Sequence, residues 1–308
     1  MNRGTSFALL VALISGISVF VNSFGVSLSD PFVYATLKNS LVAVFLVSGI
    51  LLFGKLDEIK KLNRKQFGQL ALIGLIGGGI PFLLFFYGLS LGMASISSFI
   101  FRSLFVFAAI ASLVILREKI SKSFVLGAAI IFAGNFLLIK ESLGFGLGQL
   151  LVLGATILWA IEYSYSKKVM ATISPNTSPI SPNAVAFGRM FFGSLFLLGF
   201  LAFTGKFQMV FEVSQTALLW TVVASGFLLS YVFFWYNSLK HISVSRATSI
   251  LVLGGPITAL LNFVFIGKAV ALGEAISLLI IVIGVIVAIW SSAILRFFCP
   301  IEKTSLST

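Results

Sequence analysis

Ten apolar runs separated by short polar connections take up almost the whole chain, at residues 7–27, 32–53, 67–91, 93–116, 124–139, 147–165, 184–203, 217–239, 248–266 and 272–295. A helix needs about 20 apolar residues to cross the hydrocarbon core of a bilayer, and only 124–139 falls clearly short of that. Lipid offers no water to satisfy peptide N–H and C=O groups, so runs of this kind must be helical. A chain of 308 residues spent this way has no room for a soluble domain. The composition agrees: 59% of residues are hydrophobic, 10% are charged and the mean hydropathy is +1.12, whereas soluble domains average roughly 45–50% apolar and 25% charged. The expected fold class is therefore an all-α integral membrane protein with ten transmembrane helices. The first run follows Arg3 but is long and lacks an obvious small-residue cleavage site, so it is read as a span and not as a secretory leader.

The charges orient the spans. Lys and Arg total 21 against 9 acids, a net +12 that invites a nucleic-acid reading. The basic residues nevertheless fall in short clusters between apolar runs and form no continuous solvated basic face, so no nucleic-acid partner is expected. With the N-terminus inside, the inner segments hold fifteen of them: Arg3, Lys55, Lys60, Lys61, Arg64, Lys65, Arg117, Lys119, Lys122, Lys167, Lys168, Lys240, Arg246, Arg296 and Lys303. The outer segments hold three, Lys140, Lys206 and Lys268. That asymmetry follows the positive-inside rule and favours ten spans, both termini cytoplasmic and residence in the cytoplasmic membrane. The longer connections are the basic stretch 54–66 and the uncharged stretch 171–183, which carries three of the seven prolines. The sequon Asn176-Thr177-Ser178 falls in that second, inner loop, where it would be inert.

The two halves partly repeat. A shift of 150 residues places Leu89 on Leu239, Ser95 on Ser245, Ala109 on Ala259, Ile130 on Ile280, Ile131 on Ile281 and Gly134 on Gly284. Apolar identities come cheaply in this composition, but two charge placements add to them. Lys38 and Arg189 lie at similar depths in the second and seventh spans, and Glu118 and Lys268 close the fourth and ninth. Five is odd, so a second copy must enter the membrane upside down. Such inverted repeats place a substrate site near the midplane between the halves. The expected units are 1–142 and 143–298, with 299–308 a short cytoplasmic tail that carries no chemistry.

Several short motifs sharpen this. They are Asp30-Pro31-Phe32 leading to Lys38; Leu116-Arg117-Glu118-Lys119-Ile120-Ser121 after the fourth span; Gly148 through Trp159-Ala160 to Lys167-Lys168; and Ser245-Arg246-Ala247 leading to Pro256. In order and spacing the chain resembles the EamA-type transporters of the drug/metabolite transporter superfamily over about residues 7–295. The resemblance implies two inverted five-helix repeats and movement of amino acids or other metabolites, export more often than uptake. Three residues depart from the pattern: Lys268 where an acid usually closes the helix, Val106 opposite Pro256, and Arg102 inside the fourth span.

Charges within spans are the first candidates for chemistry, because an ionised side chain at the helix centre costs about 2.5–3.5 kcal/mol on insertion scales. Lys38 and Arg189 could bind an anionic group at opposite ends of the pathway, or snorkel to the nearer interface. Arg102 lies too deep for that and should face the bundle interior, lining the pathway or forming an ion pair. Glu162 could take up a proton and couple transport to a gradient, or pair with Lys167 or Arg189. Trp159, Tyr163, Trp235 and Tyr236 could stack on a substrate or form a lipid-facing belt. Asn22, Asn39, Asn135, Asn237 and Asn262 fit helix packing. Gly74, Gly77, Gly78, Gly79 and Pro81 interrupt the third span, as Gly254-Gly255-Pro256 interrupts the ninth, and either hinges or close packing can result.

One cysteine, Cys299, and one histidine, His241, make no disulfide pair or His-rich metal site. The sequence has no Walker motif, paired carboxylates or nucleophile triad, so no cofactor, metal or enzymatic activity is expected. The reading is a secondary active transporter for a small organic metabolite, an amino acid or similar and anionic if the basic residues bind it. Its pathway should be lined by the first, third and fourth spans with the sixth, eighth and ninth. Its partners are a small-molecule substrate and the lipid bilayer, with a homodimer left open. The alternatives are a membrane scaffold or lipid-modifying protein without transport activity, and a passive channel.

Overall fold

The structure is a computed structural model that describes residues 2–52, 56–91, 94–139, 146–171 and 179–298. The segments 172–178, with the sequon, and 299–308, with Cys299, lie outside the described residues, as do Lys55 and Lys140. Among the described residues ten long helical units follow one another, α1 (Arg3–Val26), α2 (Pro31–Leu52), α3 (Arg64–Leu91), α4 (Ala94–Arg102 and Leu104–Leu116), α5 (Lys122–Phe136), α6 (Leu147–Ala171), α7 (Pro182–Phe203), α8 (Gln215–His241), α9 (Val244–Ile266) and α10 (Leu272–Phe298), with short helical turns at Leu56–Lys60 and Phe207–Val210 between them. Among the described residues nine of these are long and apolar enough to cross a membrane, and α5, at 15 residues, is a shorter apolar helix. At 1.5 Å per residue α5 covers about 22 Å, less than the hydrocarbon thickness. Helix α10 runs three residues past the apolar stretch expected to end at Leu295.

Local sequence explains where the helices start. Asn63 and Gln66 form a reciprocal capping box before α3, and the hydroxyls of Ser121, Ser181, Ser214 and Ser243 accept the free amides opening α5, α7, α8 and α9. Three helices are irregular inside. Helix α3 contains a π-turn at Gly74–Gly79, α4 breaks at Ser103, and α9 breaks before Gly254 and ends in a π-turn at Asn262–Ile266. The glycine-rich interruptions expected from the sequence are therefore real departures from α geometry.

Packing follows the repeat. Helix α1 packs along α8 and against α9, while α6 packs along α3 and against α4. Helix α2 lies on α7 and α8, α7 lies on α2 and α3, and α5 runs along α10. Each pairing has a counterpart five helices further on. The α5–α10 contact shows the relation at atomic scale. A Cβ on Gly134 would press on Ile281, and a Cβ on Gly284 would press on Ile131. These are the residues that the 150-residue shift superposes, so the two helices exchange one glycine–isoleucine contact across a two-fold relation. Lipid tails are as apolar as leucine, so helices associate through close packing at small residues such as these. Large apolar side chains including Val114, Phe203, Phe265 and Leu272 point outward, as a bilayer-facing surface requires.

Candidate functional site

The interior of the bundle is polar where α3, α6, α7 and α8 meet. Glu162 of α6 is fully buried there. Its Oε1 accepts from the Ser166 hydroxyl, one helical turn along, at 2.5 Å and from the Tyr236 hydroxyl of α8 at 2.7 Å. Its Oε2 stands 3.6 Å from Arg189 Nη1 of α7, and that nitrogen also donates to Tyr236 at 3.3 Å. The guanidinium lies over the Tyr163 ring, whose hydroxyl meets that of Tyr231 at 3.1 Å. Trp235 packs against both tyrosines. Glu162 Oε2, Arg189 Nε and Trp235 Nε1 have no hydrogen-bond partner. A buried ion pair tolerates its desolvation only when well hydrogen-bonded, and here the bonding is concentrated on one carboxylate oxygen.

The π-turn of α3 forms the wall of this cluster. Gly78 and Gly193 of α7 bring two backbones together: a Cβ on Gly193 would lie 2.6 Å from the Gly78 carbonyl carbon, and one on Gly78 would strike the Arg189 carbonyl oxygen. The irregular turn also presents carbonyls to side chains. Trp159 Nε1 donates to Gly77 O at 2.9 Å, and Asn39 Nδ2 donates to Gly78 O at 3.1 Å. One glycine run thus supplies both close packing and side-chain-facing carbonyls.

Lys38 of α2 occupies a second interior position, 4% exposed. Its ammonium donates to Asn22 Oδ1 of α1 at 3.1 Å, an oxygen that also accepts from the Tyr34 hydroxyl at 2.5 Å. The rings of Tyr34, Phe82 and Phe86 surround it at 5.1, 5.6 and 5.1 Å. Phe82 in turn meets Trp159 edge-on, so aromatic contact runs from Lys38 across to α6.

Charged contacts also join elements at the ends of the bundle. Arg117 ends α4 in the left-handed region at φ 55°, reversing the chain beside Glu118. Glu118 bonds Lys167 Nζ of α6 at 2.8 Å and accepts from the Val244 amide, the first of α9, at 3.1 Å. Lys167 also donates to the Ile242 carbonyl that ends α8, at 2.5 Å. These residues belong to segments assigned inside by the charge pattern. Asp30, in a segment assigned outside, accepts from the amides of Phe32 and Val33 and bonds Lys206 at 2.6 Å. Burial raises the Asp30 carboxyl, but those hydrogen bonds outweigh it and hold the group below its ordinary 3.8.

Of the residues singled out from the sequence, Glu162, Tyr163, Arg189, Trp235 and Tyr236 come together in one cluster, and Trp159 links it to the surroundings of Lys38. The four aromatic residues are buried inside the bundle, away from a lipid-facing belt. Glu162 pairs with Arg189, and Lys167 pairs elsewhere. Arg102 stands apart: it lies against Gly255 of α9, with Glu274 of α10 acting on it electrostatically. Asn135 and Asn237 bond within their own helices, whereas Asn22 and Asn39 bond across helices. Sequence reasoning missed Tyr34, Ser166, Phe82, Phe86 and Tyr231. Two of them were findable, because Tyr34 and Ser166 lie four residues from Lys38 and Glu162 on the same helix face.

These observations define a multi-pass membrane protein with a charged interior enclosed by two related sets of five helices. The chain belongs to the EamA-like transporter family, which it matches twice, over residues 2–140 and 146–290. It is 24% identical over 262 residues to an uncharacterized transporter of Archaeoglobus fulgidus, covering 80% of this chain and 83% of that protein. It is also 24% identical over 274 residues to an uncharacterized transporter of Clostridium kluyveri, covering 84% and 83%. A solved crystal structure shares the fold with a TM-score of 0.74 at 17% identity, over 93% of this chain and 97% of that one. The protein is thus a membrane transporter by family, which points away from an enzyme.

Proposed function

We propose that the protein is a secondary active carrier that moves a small organic metabolite of amino-acid size across the cytoplasmic membrane by alternating access, with both termini on the cytoplasmic side. The observation that carries this reading is the reciprocal packing of the two repeats around buried charged side chains, with α1 on α8 and α9 matched by α6 on α3 and α4. Related halves that meet around an interior site can exchange which side they open, because each arrangement of one half has a counterpart in the other. The breaks in α3, α4 and α9 fall on helices expected to line the path. Trp159, Tyr163, Trp235 and Tyr236 would supply aromatic walls to that path, with Lys38, Arg102 and Arg189 as its cations. We assign ion coupling to Glu162: its protonation would release Arg189 and free the α6–α7 contact.

The test is counterflow in proteoliposomes loaded with a panel of amino acids, nucleosides and organic acids. Saturable exchange that accelerates with substrate on the opposite side supports a carrier. Linear flux without acceleration would support a channel, and the absence of flux from vesicles holding folded protein would support a scaffold or lipid-modifying role.

A further inference from the structure

The three cations within the spans are not equivalent. Arg189 faces Glu162 at 3.6 Å, and Arg102 has Glu274 acting on it. Lys38 has no such acid: among the described residues its one hydrogen-bond acceptor is the neutral Asn22 Oδ1, already engaged by Tyr34, and three ring faces stand over the ammonium. The two repeats build comparable contacts. In each, a cation on the second helix is held by a side chain of the first helix, and a tyrosine hydroxyl bonds that same side chain. The second half uses Glu162 with Tyr236, and the first uses Asn22 with Tyr34. One contact pairs a cation with an acid, and the other sets Lys38, 4% exposed, on a neutral amide.

Resting on the carrier reading above, we infer that Lys38 is the subsite for the anionic group of the substrate, and that the substrate is an organic monocarboxylate with an apolar or aromatic body. A single lysine with no second cation beside it fits a monoanion better than a phosphate ester. The ring faces of Tyr34, Phe82 and Phe86 attract a cation through their quadrupoles but cannot neutralise it, whereas a carboxylate would. The aromatic contact continues from Phe82 to Trp159, Phe85 and Phe101 at 5.4–5.6 Å, which supplies an apolar surface for the body of the molecule. A carboxylate entering this position would complete for Lys38 what Glu162 completes for Arg189.

The experiment measures binding of matched acids and amides to the full-length protein in lipid nanodiscs: phenylacetate against phenylacetamide, indole-3-acetate against indole-3-acetamide, and 4-methylpentanoate against 4-methylpentanamide. An ion pair or charge-assisted bond to the acid predicts at least one acid binding about 10- to 100-fold tighter than its amide. Lys38→Met should bring that ratio to about one without lowering Tm, because a lone buried ammonium is removed, while Lys38→Arg retains the preference. Equal binding of acids and amides, no binding by any of the acids, or a preference that survives Lys38→Met would each overturn the assignment. The acid-to-amide ratio in the unmodified protein decides the matter if Lys38→Met does not fold. Counterflow of an uncharged or cationic solute would overturn this inference and leave the carrier standing. Acid binding without any counterflow would overturn the carrier and leave the subsite.

Discussion

Replacing Glu118 should loosen one end of the bundle by an amount set by what the side chain holds there. Its carboxylate makes a 2.8 Å bond to Lys167 and receives the first amide of α9 at 3.1 Å, so it joins the end of α4 to α6 and α9 at once. The two side chains retain 20% and 15% exposure, which discounts the ion pair to about 1 kcal/mol of the range for surface pairs. The amide contact acts as a helix N-cap and adds about 1 kcal/mol. Glu118→Gln keeps an oxygen for the amide and loses the charge, so about 1 kcal/mol is lost, roughly fivefold in an equilibrium. Glu118→Ala loses both contacts, about 2 kcal/mol, roughly 30-fold. If these contacts exist only while this end is shut, the open population rises by those factors. The assay replaces Cys299 by Ser, introduces Ser245→Cys in the buried first turn of α9, and follows labelling by a membrane-impermeant maleimide in vesicles of both orientations. Labelling should accelerate in the order wild type, Gln, Ala, from the side bearing the loop 117–121. Unchanged labelling in Glu118→Ala would refute the argument, and so would equal acceleration in both variants, since the charge and the cap would then not contribute separately.

Three further outcomes follow from the packing and the charges. Gly78→Ala forces a Cβ onto the Arg189 carbonyl with Gly193 directly opposite, and should cost about 3 kcal/mol by overpacking; Gly199→Ala, with open space around it, should leave Tm in detergent unchanged or raised. Glu162→Gln leaves the Arg189 guanidinium buried without its counter-charge, a loss of about 3–5 kcal/mol, and adding Arg189→Met should recover most of it in a thermal double-mutant cycle. Asp30 is held below 3.8 when folded, so its contribution is present above the unfolded carboxylate value and is lost as pH falls through the lower folded one. The Tm difference between wild type and Asp30→Asn should therefore be flat from pH 5 to 8 and shrink below about pH 4.

The spans were legible because lipid allows a long apolar run a single conformation, and the inversion of the second half was legible because five is odd, but which helices pack together was not. The interior was legible only as alternatives. Glu162 had two basic residues within reach on paper, and the choice of Arg189 over Lys167 depends on how α7 is drawn onto α3 by Gly78 and Gly193, a contact between distant segments that no local pattern encodes. The glycine run left hinge and close packing as alternatives, and the structure shows the packing: a π-turn with carbonyls turned to side chains, pressed against α7.

Lys268 carries the argument one step further. Glu118 closes α4 by accepting the first amide of α9, so a faithful repeat would have an acid closing α9 accept the first amide of α4 at the opposite end. Lysine has no acceptor to offer an amide proton, and Lys268 is exposed where Glu118 is engaged. The contact that joins α4 and α9 at one end therefore cannot be mirrored at the other. Related folds in the two halves do not make the two ends of the pathway energetically alike. Placing a carboxylate at Lys268 is the substitution that would begin to equalise them.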